Sequence, residues 1–468
     1  SGDSGGDLDL TVTGYCDVTG TLALNTSTVS VAALRTNSGA AVTQDATGTL
    51  ALATGSNFGG SEGATYAWRN TDGTSDINLG GTLTNTGGSY FEPRTAPDYA
   101  SVVNNVVWDN TAYWVGKMTF GGTLVVNVHK GMQTYNGSKD CIVNGDVTLN
   151  GQLQALGNNV NNMTFKSLTI NNTGTYEATS GTTTVDQGST YVLRNLGTYT
   201  HNSGTLKVAR SSASGTRFLE LGSAAIHKLV IDGSATNAAV AFVGVVNCAN
   251  DLEVTNGQFQ AYGGSGDVTI DGDVTVSNSS VFRTQTNQLA AGGVNATLGS
   301  LTINSGATYN ATPLTTTITA ETASHAWKND GGTFTHNSGK VKIFDADGTV
   351  MGSTSVKETT FYDLEMSLFA NTMTCSFFDA DGSNAVTILN NLDITKGEME
   401  FSTASDTITI HGLTKITSNG AFSDNAAHDT NKIIHNGLVT NEGTYNINDN
   451  TTVKMNGGIR NLGTITVK

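Results

Sequence analysis

Proline is nearly absent from this chain, with 3 in 468 residues, and cysteine is scarce, with 4. So few cysteines exclude a disulfide-built scaffold. Charge is thin as well: Asp, Glu, Lys and Arg together make up 13% of residues. A disordered acidic tail combines high charge with few apolar residues, and a hydrophobic share of 37% does not fit that class. Positive charge is outweighed, 23 Lys and Arg against 39 Asp and Glu, for a net charge of −16. A nucleic-acid binder needs a basic face, so no nucleic-acid partner is expected. No apolar run approaches the roughly 18 residues that span a bilayer, so no membrane insertion is expected. Helical periodicity is missing too, except at Ala96–Asp109, where a short helix or lateral loop is expected.

What the chain does have is glycine, 56 residues of it, and repetition. LTINNTGTYEA at Leu168–Ala178 returns as LTINSGATYNA at Leu301–Ala311. THNSG at Thr200–Gly204 returns at Thr335–Gly339, and RNLGT at Arg194–Thr198 returns at Arg460–Thr464. A degenerate copy, Lys328–Thr333, lies between the last two. Agreement at several independent strings establishes a super-repeat of about 133 residues. A shorter beat runs inside it. Apolar residues that begin alternating stretches recur on a beat of roughly 20–25 residues, as at Leu229, Leu252, Val274, Leu301 and Trp327.

One beat reads DVTIDGDVTV at Asp267–Val276. Val and Ile alternate with Thr and Asp, which is the period of a strand with one buried face. Asn-Gly steps at Asn144, Asn150, Asn256, Asn419, Asn436 and Asn456 supply the positive φ of tight turns. Short strands on such a beat, with proline excluded, predict an all-β parallel β-helix, or β-solenoid, of about 20 coils. Coils stacked about 4.8 Å apart would make a rod on the order of 100 Å long. Tandem β-sandwich domains are the competing architecture, since they also combine short strands with frequent turns. Residues 1–10 read as a flexible, Gly-rich lead-in, and residues 11–140 as a less regular β-rich region with a lateral insertion at 93–115. The regular solenoid is expected over 141–468. Ser1 is not a start methionine, so processing, a tag or a fragment is expected. At the other end, Thr464–Lys468 stops in mid-pattern, and that strand edge is expected to be covered by another chain or by further sequence.

FYDLEM at Phe361–Met366 followed by LDITKG at Leu392–Gly397 resembles the "FYNLTI … LTVTNGTF" coils of repetitive parallel β-helix proteins. HKLVIDG at His227–Gly233 followed by LEVTNG at Leu252–Gly257 resembles them too. Such coils are similar to those of filamentous-haemagglutinin-type bacterial surface adhesins and of phage virion fibres and tailspikes. The resemblance covers about residues 140–468 and brings no shared catalytic motif. It implies an oligomeric protein, extracellular or on a virion surface.

Candidate chemistry is sparse. GDSGG at Gly2–Gly6 spells the string around a trypsin-type nucleophile, but no base or orienting acid precedes it, so it reads as linker. Asp345, Asp347, Asp379 and Asp381 form two Asp-x-Asp-Gly turns of the kind that can wrap Ca²⁺, although no Glu follows at the spacing of a full loop. Glu398 and Glu400, near Asp393, and the trio Asp267, Asp271 and Asp273 are the best carboxylate pairs for cutting a polysaccharide. The 8 histidines show no zinc spacing and read as structural or surface groups. Cys16, Cys141, Cys248 and Cys375 lie too far apart on a solenoid to pair, and free, buried thiols are expected. Trp108, Tyr113 and Trp114 are candidates for stacking a glycan, alongside Trp68, Trp327, Tyr66 and Tyr191. The expected protein is a non-enzymatic, elongated structural or adhesive surface protein, above all a phage fibre or capsid or tail appendage that contacts cell-surface glycan. A tailspike-type depolymerase and a filament-forming bacterial adhesin are the alternatives. No cofactor is required on this reading, calcium aside. The partners are copies of the chain, other surface or virion proteins, and cell-surface polysaccharide.

Overall fold

A computed structural model describes residues 10–37, 40–56, 58, 65–70, 76–92, 102–134, 140–155, 161–187, 190–211, 215–233, 238–285, 293–319, 325–345, 348, 353–355, 359–378, 385–401, 407–424, 431–448 and 451–467. They form an all-β parallel β-solenoid of about 16 turns, with no helix among the described residues. The chain divides into two compact units, Ser1–Ala209 with Arg217–His227, and Arg210–Thr216 with Lys228–Lys468.

Each turn is three short strands joined at three corners. In the second unit, Thr407–Ile410 pairs with Lys432–His435, and that strand pairs with Thr452–Met455. Thr414–Ile416, Val439–Asn441 and Ile459–Asn461 make the next stack. Gly420–Asp424, Thr444–Ile447 and Thr464–Val467 make the third. The first unit is wound in the same way, as in the stack Thr49–Leu52, Asp76–Asn85 and Val102–Trp108. Residues 102–108 are therefore strand, not the expected short helix or lateral loop: Val103, Val106 and Trp108 point inward and match the buried face of their neighbours. The lead-in before Leu10 and the stretch 93–101 lie outside the described residues.

Turns are fewer than the 20 expected because their length varies. Cys141 finds its register partner at Met163, whereas Leu34 reaches Trp68 only after a circuit about half as long again.

In-register stacking puts like residues over like. Phe242, Phe259, Phe282 and Tyr309 form a buried column with ring centroids 5.1, 5.8 and 5.3 Å apart, close to the strand spacing. Buried hydroxyls are satisfied inside the same columns. The Tyr309 hydroxyl lies 3.2 Å from that of Thr284 and 3.0 Å from that of Thr316.

The repeated THNSG string is a corner. Asn202 and Ser203 take φ of 45° and 58°, and Asn337 and Ser338 take 49° and 60°. Each Asn side-chain amide donates 2.8 Å to a carbonyl of the preceding turn, that of Ala178 or Ala311. Each histidine Nδ1, on His201 and His336, accepts the N–H of the serine two residues on. These bonds offset the cost of two successive left-handed residues.

The super-repeat does not span a whole number of turns. In the second unit, the Lys328–Thr333 copy begins on strand His325–Asp330, in the stack that ends with Thr464–Val467. The Arg460–Thr464 copy begins instead on Ile459–Asn461, one stack over. Three nearly equivalent sides make such a phase shift harmless to the core.

Candidate functional site

Alternation along each strand decides which candidates meet solvent. Trp108 and Trp114 are both 0% exposed. The Trp108 indole donates 3.1 Å to the Gly131 carbonyl, and Trp114 lies in register with buried Phe91. Neither ring can present a face to a sugar. Trp68 and Trp327 are buried in the same way. Tyr113 is the outward member of the trio and joins a ladder that the sequence reading saw only in part. Its ring centroid lies 5.6 Å from that of Tyr90, which lies 5.4 Å from that of Tyr66, with 33° between the planes at both steps. The Arg69 guanidinium sits 4.9 Å from the Tyr66 centroid. In register beyond Tyr113 come Gln133, Gln154 and Glu177, and the Gln133 amide donates 3.0 Å to Gln154. Tyr90 was overlooked, although it falls one beat from each of the other two tyrosines. On another side of the same unit, Tyr191 packs against Phe218 beneath Arg194.

The acidic candidates separate. Strand Leu392–Phe401 turns a corner at Gly397, whose φ is 87°. Asp393 therefore lies in a different stack from Glu398 and Glu400, which face Thr374, Ser376, Ala421 and Ser423. The charged neighbours of Asp393 are Lys340, Glu365, Lys415 and Asp363. Glu365 pairs with it in register and takes hydrogen bonds from Lys340 at 2.7 Å and Lys342 at 3.0 Å. Burial alone would raise the Glu365 carboxyl, but the two lysines outweigh it and hold the group below the ordinary carboxylate range. Asp393 is held above that range, chiefly by burial, with Glu365 and Asp363 adding to the effect against Lys340 and Lys415. Two carboxyls one turn apart are thus displaced in opposite directions. Asp267 caps the next turn, accepting the Asn295 N–H at 3.0 Å, and Asp273 accepts the Ser300 hydroxyl at 2.8 Å. A corner between Ile270 and Asp273 places Asp267 and Asp273 on different sides.

Of the calcium candidates, Asp345 is buried and its Oδ1 accepts the Gly348 N–H at 2.9 Å. Asp347, Asp379 and Asp381 lie outside the described residues, as does the GDSGG string. Among the described residues no group of three or more His, Cys, Asp or Glu could hold a metal ion. His201 stacks on His227 at 5.7 Å, and His336 on Tyr362 at the same distance. A neutral His201 whose Nδ1 accepts a backbone N–H carries its proton on Nε2, which leaves no lone pair for a metal. No disulfide joins the four cysteines; Cys141, Cys248 and Cys375 are buried, and Cys16 is partly exposed.

One shallow cleft of about 320 Å³ opens in the first unit beside Asn144, Thr164, Lys166, Asp186 and Gln187. The Tyr66–Glu177 column and the Lys340–Lys415 cluster are instead periodic and built one rung per turn. Such surfaces suit repeated weak contacts with an extended partner better than capture of a small molecule. Comparison with known protein families, with characterised proteins and with solved structures finds no match to this chain.

Proposed function

We propose that the chain is a non-enzymatic structural and adhesive protein of an outer surface, a phage virion fibre or a capsid or tail appendage, whose flanks contact cell-surface glycan. The observation that carries this reading is the outward column Tyr66, Tyr90, Tyr113, Gln133, Gln154 and Glu177. It offers ring edges, hydroxyls and amides at one rung per turn, about 4.8 Å, a period close to the length of one sugar ring. Five neutral rungs in a row, flanked by Arg69 at Tyr66 and ending at the Glu177 carboxylate, suit an unbranched, hydroxyl-rich polymer. Single rungs contribute little, and the affinity comes from many rungs engaged together.

The test is affinity electrophoresis through gels containing surface polysaccharides, with Tyr90→Ala and Tyr113→Ala beside the unaltered chain. Retardation that weakens in both variants supports the reading. Equal mobility in all gels counts against it.

A depolymerase is the second reading, favoured by the opposite displacement of Asp393 and Glu365. It requires shortened polysaccharide after incubation, abolished by Asp393→Asn. A bacterial filament-forming adhesin would share the same flanks and differ in where it is anchored.

A further inference from the structure

One corner of the first unit carries an extra residue. Cys141, Ile142 and Val143 pair in register with Met163, Thr164 and Phe165, and pairing resumes at Asp146 and Ser167. Asn144 and Gly145 therefore stand opposite Lys166 alone, and a bulge of this kind re-aims side chains. Glycine is required there, because a Cβ at Gly145 would fall 2.3 Å from the Gly122 carbonyl oxygen. One turn further on, Thr183, Thr184 and Val185 pair with Met163, Thr164 and Phe165. The ladder then runs on through the corner: the Asp186 and Gln187 N–H groups donate at 3.1 and 2.7 Å to the Phe165 and Lys166 carbonyls. Three successive turns thus fix the backbone that carries Asn144, Lys166, Asp186 and Gln187.

These four side chains and Thr164 give the cleft of about 320 Å³ its polar lining. Ligand pockets run from roughly 300 to 1,000 Å³, so this one suits a ligand of about one ring. The polar groups select its chemistry. The Lys166 ammonium, the Asn144 amide and the Thr164 hydroxyl make no side-chain hydrogen bond or ion pair among the described residues. Lys166 calls for an anionic group. Asp186, one turn away, is the single acid of the lining beside that single cation, so the cleft is formally neutral and opposes a dianion such as phosphate. A lone carboxylate is the better match. Amide and hydroxyl groups both donate and accept, so Asn144 and Thr164 suit ring hydroxyls.

We propose that this cleft binds one ring of a sugar acid, a hexuronate, with its carboxylate on Lys166 and its hydroxyls on Asn144 and Thr164. The site goes beyond the glycan reading above and stands on the cleft alone. The Tyr66–Glu177 column crosses these turns on a different stack, at Gln154 and Glu177, so the two sites are tested separately.

The experiment is saturation-transfer difference NMR on the full chain, titrated with sodium glucuronate, with glucose and acetate as controls. Glucuronate ring protons should receive saturation well above those of glucose and above the acetate methyl. Lys166→Gln should weaken glucuronate binding about tenfold. Asn144→Ala should weaken it less, and Tyr113→Ala should leave it unchanged. Lys166 and Asn144 are exposed, and far-UV circular dichroism checks that their variants remain folded. Equal transfer to glucose overturns the proposal, and so does acetate binding as strongly as glucuronate. Glucuronate binding that survives Lys166→Gln in full places the contact elsewhere and overturns it too. Loss of binding in Lys166→Gln with gel retardation intact supports the cleft as a separate site. None of these results touches the Tyr66–Glu177 reading, which is measured by Tyr90→Ala and Tyr113→Ala.

Discussion

The two ring nitrogens of His435 each meet a buried hydroxyl: Nδ1 lies 2.8 Å from Thr414 Oγ1, and Nε2 lies 2.9 Å from the Tyr445 hydroxyl. The ring is 0% exposed and packs edge-on against Phe422. Burial pushes its pKa down to about 4. In the unfolded chain the group titrates near the ordinary value of 6.5. Above that pH both states are neutral and the group contributes no pH dependence. As pH falls from about 6.5 towards 4, the unfolded chain takes the proton first, and stability declines by about 3 kcal/mol in all. Urea midpoints measured between pH 7 and 4.5 should show this slope, and His435→Phe should flatten it. An unchanged slope in the variant contradicts the assignment.

Gly437 marks a corner where turns touch backbone to backbone. A Cβ there would fall 2.0 Å from the Gly412 carbonyl oxygen, at a position with no flexible side chain to yield. Gly437→Ala should cost about 1 to 3 kcal/mol. Gly458 has open space around it but a φ of 83°, so Gly458→Ala should cost only about 1 kcal/mol, from backbone strain. Gly14 has neither constraint, and Gly14→Ala should be close to neutral. Thermal melts of the three variants rank them.

Trp108 and Tyr113 should separate packing from binding. Trp108→Ala empties a fully buried site and should lose about 3 to 5 kcal/mol of stability. Tyr113→Ala should change stability little and weaken polysaccharide retardation. The reverse pattern would restore the buried indole as a ligand platform.

The thiols should divide one against three. Burial pushes Cys141 up to about 12 and Cys248 up to about 11, and Cys375 is fully buried. Cys16 is also raised, by burial and then by Asp17, but it is within reach of solvent. Titration with a thiol reagent under native conditions should release one rapid equivalent, with the other three appearing on unfolding. Two or more rapid equivalents would show that the turns open more readily than this packing allows.

Glu365 ties two turns together through Lys340 and Lys342, yet the lysines are about a third exposed, at 35% and 28%. Solvent screening limits such a cluster. Glu365→Gln should cost less than about 1 kcal/mol, and the difference should shrink in high salt, read from paired denaturation curves.

Much of this fold was legible because a solenoid turn announces itself locally. The Val-Thr-Ile alternation of Asp267–Val276 gives inward and outward sides, and Asn-Gly steps mark corners, although of the six expected to turn through positive φ only Asn256-Gly257 does, at Gly257. The same logic erred over residues 102–108, where the Val-Val pairs of the strand lack clean alternation. The outward columns were harder to read. They join residues distant in sequence, and although Tyr90 and Lys415 each fall one beat from Tyr113 and Asp393, the beat alone does not fix which side chains share an outward column. The super-repeat misled in one respect: copies one repeat apart lie on different sides, so repeat alignment cannot reveal a ladder. Burial of Trp108 and Trp114 depended on strand phase, which a region of irregular sequence did not fix.

The most direct test of the surface-scaffold account is immunogold electron microscopy of the producing cells and any particles they release, using antibodies raised against the folded chain. The account predicts label on the outer face of the cell or on the particle. Label confined to the cell interior would contradict it.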